Sequence, residues 1–323
     1  MSEENELFSK DDHFRGLVKK ARRHSVIRTV LISLLISIIV FFSIFWLNSF
    51  LMQKSIQKYS MDDSLWNYIH GANIESNGTS YNYNLLSAVG KTDFYKDIDG
   101  ILVPWTPSER VFSIFGKSSL VTSSGASTGI TLIGADRVPY FYNGERVIEF
   151  YHPKVNNENI VDDRKILTNI PEDKVIELAY SFDDNYTIEE VEKVFKDDMV
   201  WLWINAYDEE EMRKDNEVIE EHDKRGHTII GDSAFGFHYN SREPNGGAEY
   251  FISSLEQMKK KGSNKSSAED LINRITNNDE KKLTPENLEI IGVVVTGSPK
   301  ELMKYNDVPM IRAATLGVTV DKY

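Results

Sequence analysis

Residues Val30 to Met52 form one uncharged apolar run, VLISLLISIIVFFSIFWLNSFLM, whose only polar residues are Ser and Asn. At a helical rise of about 1.5 Å per residue the run reaches roughly 34 Å, enough to cross a hydrocarbon core of about 30 Å. Its β-branched residues do not argue for a strand, because lipid accepts only a backbone that satisfies its own hydrogen bonds. A transmembrane helix over 30–52 leaves a short tail, 1–29, on one side and the bulk of the chain on the other.

A basic cluster, Arg15, Lys19, Lys20, Arg22, Arg23 and Arg28, directly precedes the run. On the distal side Lys54 and Lys58 are soon followed by Asp62 and Asp63. Lys and Arg beside a span are retained in the cytoplasm. The bias therefore predicts a single-pass cell-membrane protein with a cytoplasmic N-terminus and an extracytoplasmic C-terminal domain. Trp46 and Tyr59 suit the lipid–water boundaries. A cleaved signal peptide has an apolar core of about 7–15 residues and a small-residue cleavage site. This run is longer and no A-x-A-like site follows, so an uncleaved signal anchor is expected.

The chain has 323 residues, a formal net charge of −13 and no cysteine. The tail holds seven of its 37 Lys/Arg and five of its 50 Asp/Glu, so 30 basic and 45 acidic residues follow the span. An acidic distal region disfavours nucleic acid and adhesion to anionic lipid. The lack of cysteine excludes disulfides, thiolate zinc sites and cysteine nucleophiles. A large extracytoplasmic domain without cysteine suits a bacterium that exports proteins without oxidising them, and favours a Gram-positive one.

Residues 1–12 are polar and read as disordered. Phe14, Leu17, Val18 and Ala21 have helical spacing, which predicts a basic amphipathic helix running into the span. Residues 53–80 read as a polar juxtamembrane linker. Residues 81–170 read as β-rich, with strands near 101–104, 110–115, 129–134, 139–143 and 147–151 and a hairpin turn at Asn143-Gly144. Distally, Val175–Phe182 is a strand, and Thr187 to Glu190 is a capping box opening a helix with Ile188, Val191, Val194 and Phe195 on one face. Met199–Tyr207 is a strand, and Asp208 to about Asn245 a charged loop. Helices are expected at 248–260 and 266–276, the second capped by Ser267 with Asp270 at its third position. Strand Ile290–Thr296, a Ser298-Pro299-Lys300-Glu301 box and strand Arg312–Val320 close the chain. The predicted fold is α+β: a single transmembrane helix, a β-rich segment, then a mixed-sheet domain over 171–323 with split βαβ units.

Candidate chemistry is sparse. Gly125-Ala126-Ser127-Thr128-Gly129 matches G-x-S-x-G, but a nucleophile elbow needs a following helix and Ile130 to Ile133 is strand-like. His222, His227 and His238 lie among Glu220, Glu221, Asp223 and Asp232, a set able to bind a divalent metal but without ligand spacing; the same histidines titrate near neutral pH. Thr296 to Lys300 has one Gly where a phosphate loop needs several. Trp201 and Trp203 alternate with Leu202 and Ile204, as on a strand buried on both faces. Lys19-Lys20 and Arg22-Arg23, directly before a span, are topology determinants first and a contact surface for protein or anionic lipid second. No catalytic, cofactor or metal site is assigned, and no enzyme activity is expected.

Two regions are familiar together: FRGLVKKARRHSVIRTVLISLLISIIVFF at 14–42, and the set IELAYSFDDNYTIEEVEKVF at 176–195, WLWINAY at 201–207 and GVVVTGSPKELMKYNDVPMIRAATLGVTVD at 292–321. These resemble the N- and C-terminal modules of the bacterial sigma factor regulator family, which includes the membrane-bound anti-sigma factor of the Bacillus sigma-M type. The resemblance implies an anti-sigma factor that sequesters an extracytoplasmic-function sigma factor, answers to envelope stress, and acts with a second small membrane regulator and membrane lipid as further partners. The inside contact surface is then 14–29, with Phe14, Leu17 and Val18 on the apolar side and Lys19, Lys20, Arg22 and Arg23 on the charged side. The other classes compatible with the residues are an anchored extracytoplasmic scaffold without sigma factor binding, and a surface-anchored hydrolase using Ser127 or a histidine–carboxylate metal site.

Overall fold

The computed structural model describes residues 3–122, 139–157, 160–221, 228–277 and 282–322. Helix α1 (Glu3–Ile69) is 67 residues long, about 100 Å at 1.5 Å per residue. It takes in the tail, the apolar run and much of the segment expected as a polar linker. The distal part of α1 is held by two different faces. Met52 and Ile56 pack with Ala88 and Phe112, whereas Leu65 and Ile69 enter the main core. At 3.6 residues per turn those two pairs do not share a stripe, which is why the segment carries no single amphipathic signal. The helix stops at Gly71, whose φ of 87° is left-handed and whose N–H donates to the Ala234 carbonyl at 2.9 Å. A glycine after the last helical residue adopts that backbone without a Cβ clash.

Strands β1 (Glu75–Tyr83), β2 (Ser87–Ile98), β3 (Ile101–Ser113) and β4 (Ser118–Thr122) make an antiparallel four-stranded sheet in that order. The expected strands near 101–104 and 110–115 are one strand, β3. The β2–β3 turn is Asp99-Gly100, with positive φ at both residues, and Ile98 pairs with Ile101 across it. The expected strand at 129–134 lies outside the described residues. Strands β5 (Phe141–Tyr142) and β6 (Glu145–Arg146) form the hairpin expected at Asn143-Gly144; both turn residues have positive φ, as a type I′ turn requires. Strand β7 (Glu149–Phe150) follows.

The distal domain holds β8 (Lys174–Tyr186), α2 (Ile188–Phe195), β9 (Met199–Ile204), α3 (Glu209–Glu221), β10 (Ile229–Ile230), β11 (Gly236–His238), α4 (Gly246–Lys260), α5 (Lys265–Ile275), β12 (Ile290–Gly297), α6 (Pro299–Leu302) and β13 (Ile311–Asp321). Its sheet runs β11-β9-β12-β8-β13. Every adjacent pair is antiparallel, which corrects the mixed sheet. The split units are present nonetheless. β8 and β9 flank β12, and β12 and β13 flank β8, so the two strands of each βαβ unit are parallel but never touch. Both capping boxes form: the Thr187 hydroxyl accepts from Glu190 N–H and the Ser298 hydroxyl from Glu301 N–H.

Three local expectations are corrected. The loop from Asp208 to Asn245 contains α3, β10 and β11. Helix α5 begins at Lys265 after Asn264, so Ser267 lies inside it and caps nothing. Val194 is exposed, and Ile188, Val191 and Phe195 alone bury the α2 face. Trp201 and Trp203 are fully buried with Phe150 on one side of β9, and Leu202 and Ile204 join the helices on the other, as the alternation predicts.

Gly236 sits where a Cβ would lie 2.0 Å from the Leu202 carbonyl oxygen and 2.4 Å from the Trp201 ring. Backbone cannot yield as a flexible side chain does. Gly236→Ala is expected to destabilise the distal domain by at least about 2 kcal/mol in a thermal melt. Gly16→Ala, where nothing lies within 4 Å, leaves the same melt unchanged.

Candidate functional site

Helix α1 carries all the residues expected to contact a partner. Leu17 and Val18 are about half exposed, and Lys19, Lys20, Arg22 and Arg23 are exposed beside them. Phe14 precedes Leu17 and Val18 by three and four residues on the same helix, the spacing of one face. Lys19 stands in the same relation to Arg22 and Arg23. At about 100° per residue Phe14, Leu17 and Val18 share one face while Lys19 and Arg23 point to the other side, so the positions surround the helix, and from Leu17 to Arg23 the side chains are exposed.

The next segment is apolar all round and uncovered. Val30, Phe41 and Trp46 are 58%, 68% and 68% exposed, and the most apolar 18 residues of the span have no side chain buried in the protein, which first covers the helix at Met52. A helix hydrophobic on every face is stable only within an apolar surrounding. This is the one helix among the described residues long and apolar enough to cross a membrane.

Beyond Met52 the helix becomes the wall of a groove of about 990 Å³. Trp66 and His70 of α1 form one side, Tyr81, Phe94 and Trp105 of the four-stranded sheet another, and Asp232 and His238 close it from the distal domain. Asp63 fixes the helix to the sheet through a two-pronged pair with Arg110, at 2.8 and 2.7 Å. Burial pushes the Asp63 carboxyl up, and the guanidinium opposes the shift. The preceding residue, Asp62, accepts from the Ser263 N–H and hydroxyl, tying α1 to the α4–α5 turn.

A buried ion pair lies beneath the groove. Lys96 of β2 donates to both carboxylate oxygens of Glu177 on β8, each at 2.9 Å, with neither side chain exposed. Asn73 donates to the same carboxylate at 3.0 Å and Val318 N–H at 3.4 Å. Gly317 makes room for it, since a Cβ there would lie 2.3 Å from Glu177 Oε2. Lys96 Nζ also stands 4.5 Å from the centre of the Trp105 ring, whose N–H donates to Asp232 at 3.2 Å. Burial pushes the Asp232 carboxyl up, and nearby Lys96 pulls it down by less. Composition gives no hint of the Lys96–Glu177 pair. The only sequence sign is Glu177 within the apolar strand run Val175 to Phe182, where an acid requires a buried partner.

His222 and His227 lie outside the described residues, as does the G-x-S-x-G segment with Ser127. His238 sits on β11, where burial lowers its pKa against the opposing pull of Glu75, 3.9 Å away. His70, whose ring nitrogen meets the Trp66 carbonyl at 2.7 Å, is lowered by burial too. Among the described residues no group of three His, Cys, Asp or Glu side chains is placed to hold a metal.

Residues 167–318 match the family described as Sigma factor regulator C-terminal. The match begins before β8 and ends within β13, so it takes in the helices and all but the last three residues of the five-stranded sheet. That family is regulatory rather than catalytic, and its description names a sigma factor as the object of regulation. No curated protein and no solved structure matches the chain.

Lys96→Met would leave the Glu177 carboxylate buried without its cation. It is expected to cost about 3–5 kcal/mol in urea unfolding, and Lys96→Met combined with Glu177→Leu to recover more than half of that loss. A second expectation concerns acid. His152 is buried, its Nδ1 accepts the Lys154 N–H and its Nε2 meets Asn205 Oδ1. Burial, the largest cause, lowers its pKa to about 4. A depressed folded pKa means that the unfolded chain takes up the proton first. Stability is then complete above about pH 6.5 and falls as pH drops toward 4, by at most about 1.4 kcal/mol per pH unit for this group. His70 and His238, lowered by burial, act in the same direction, whereas Asp63 and Asp232, raised by burial, oppose it. Melting temperature should therefore fall between pH 7 and 5, and less steeply in His152→Gln.

Proposed function

We propose that this chain is a single-pass negative regulator of transcription, an anti-sigma factor that holds an extracytoplasmic-function sigma factor at the cell membrane. The match over residues 167–318 carries this reading. In it, 1–29 faces the cytoplasm, 30–52 spans the bilayer, and the regions 53–80, 81–170 and 171–323 are the juxtamembrane, β-rich and regulator parts beyond it. The surface of Phe14, Leu17, Val18, Lys19, Lys20, Arg22 and Arg23 contacts the sigma factor, which is inhibited by being kept from core polymerase. Apolar residues beside a basic edge suit a partner that presents a hydrophobic patch rimmed with acid. A second small membrane regulator completes the contact area, because one short helix face falls below the size of a standard interface.

The extracytoplasmic part senses the state of the envelope. Support comes from the groove, which α1 itself lines, so that an occupant touches the same helix that carries the tail. The scaffold alternative draws on the groove alone and assigns the tail no partner.

Purification from membranes in mild detergent separates the two. A sigma factor, directly or through a small membrane partner, should be recovered with the full chain. Leu17→Glu should lower that recovery about tenfold, a loss of about 1.4 kcal/mol, while the protein stays in the membrane fraction. Recovery of neither partner, together with an unchanged sigma regulon on deletion, would leave only the scaffold.

A further inference from the structure

The four-stranded sheet ends in two apolar hairpin tips beside the exit of the helix from its apolar run. Strands β1 and β2 are joined through Asn84, Leu85 and Leu86, and β3 and β4 through Ile114 to Lys117. Ile114 N–H donates to the Leu86 carbonyl, so the tips are bonded together. The Tyr59 hydroxyl donates to the Gly116 carbonyl at 3.1 Å, which bonds them to α1. Leu85 is 73% exposed and Phe115 77%, with Tyr83 and Leu86 exposed beside them. Tips of small globular domains seldom present such side chains to water without a counterpart.

Their height along α1 follows from the packing. Asp63 pairs with Arg110, Tyr59 packs on Phe112, and Met52 and Ile56 join Ala88 and Phe112. Moving back along the helix toward the apolar run thus means moving along β3 toward Phe115. The tips lie level with the last residues of the apolar run, where a spanning helix emerges from the hydrocarbon. Lys54, Lys58 and Lys117 are exposed around them, and neither the tips nor residues 52–60 contain an acid. Apolar side chains ringed by lysines, with an aromatic at the edge, are the composition of an interfacial anchor.

We infer that Leu85, Leu86 and Phe115 dip into the outer leaflet, making a second contact with the bilayer that fixes the angle of the domain over its own span. The inference rests on 30–52 being embedded, and it holds whether or not the tail binds a sigma factor. The occupant is lipid rather than a second copy of the chain, because the patch is continuous with a helix surface that itself requires lipid and its rim carries cations suited to phosphate headgroups.

The absence of cysteine permits a clean test on the full chain in phosphatidylglycerol-containing vesicles. Single variants Leu85→Cys, Phe115→Cys, Leu102→Cys and Ser37→Cys carry an environment-sensitive fluorophore, and lipids spin-labelled at shallow and at deep positions are added together as quencher. Leu102 lies at the far end of β3, roughly 37 Å from Ser113 at about 3.4 Å per residue. Probes at 85 and 115 should shift to the blue and fall about twofold with quencher, as burial about 5–10 Å into the headgroup region requires, while the probe at 102 does neither. If the probe at 37 is quenched and those at 85 and 115 are not, the tips do not enter lipid and the inference fails alone. A blue shift at 85 and 115 without lipid quenching means a protein contact and overturns it as well. An unquenched probe at 37 instead removes the span on which everything here depends.

Discussion

One helix serves as both an apolar rod and a structural element of the folded domain. The middle of α1 has nothing around it, and its last turns are core: Leu65 and Ile69 are buried among β-sheet and helix side chains. Between the two regimes no residue breaks the helical hydrogen bonding, and the first left-handed glycine comes only at Gly71. A helix without a hinge transmits rotation and tilt along its length, since bending it sharply requires a proline, a glycine pair or an inserted group. The tail surface from Leu17 to Arg23 and the groove lined by Trp66 and His70 are therefore two ends of one rigid body.

The junction between that rod and the two sheets carries a few polar fixtures beside its apolar contacts. The Asp63–Arg110 pair holds the helix to β3, Asp62 holds it to the α4–α5 turn, and Lys96–Glu177 joins β2 to β8. Buried ion pairs add little net stability relative to apolar replacements, but losing one partner is costly. Their effect here is registration. Lys96 meets a carboxylate only when the four-stranded sheet sits at one offset on the five-stranded one, and Gly317 keeps that offset free of a clashing Cβ. The aromatic contacts around Trp105 tolerate sliding in a way that two 2.9 Å bonds do not.

What was legible in the sequence was whatever rests on local chemistry. Thr187 and Ser298 cap their helices because a hydroxyl three residues before a glutamate satisfies first-turn N–H groups wherever it occurs. Asn143-Gly144 turns because both residues accept positive φ, and Asp99-Gly100 carries the same signal for the β2–β3 hairpin. The misses occur where burial comes from somewhere unexpected. Strand β1, ESNGTSYNY, is exposed along most of its length, so neither face carries an apolar alternation. Helix α3 is so acidic and basic that, among its described side chains, only Met212 is buried. The distal part of α1 uses two faces for two cores, and so reads as polar. The groove was invisible for a related reason: its walls come from segments about 160 residues apart, and only the fold brings Trp66, Trp105 and Asp232 to one place. The tail was legible only as a helix, because nothing within the chain tests what it touches.

The same geometry sets a condition on any signal that crosses this protein. An occupant of the groove alters the tail only if it binds one placement of α1 more tightly than another. Because Asp63, Trp66 and His70 are all on the helix while Arg110, Trp105 and Asp232 are on its neighbours, a ligand spanning the groove necessarily touches both sides of that choice. Tight binding to one wall alone would shift nothing. A ligand bridging the helix and the distal domain favours whichever tilt brings the walls to its own width, and the unbroken helix carries that tilt through the apolar segment.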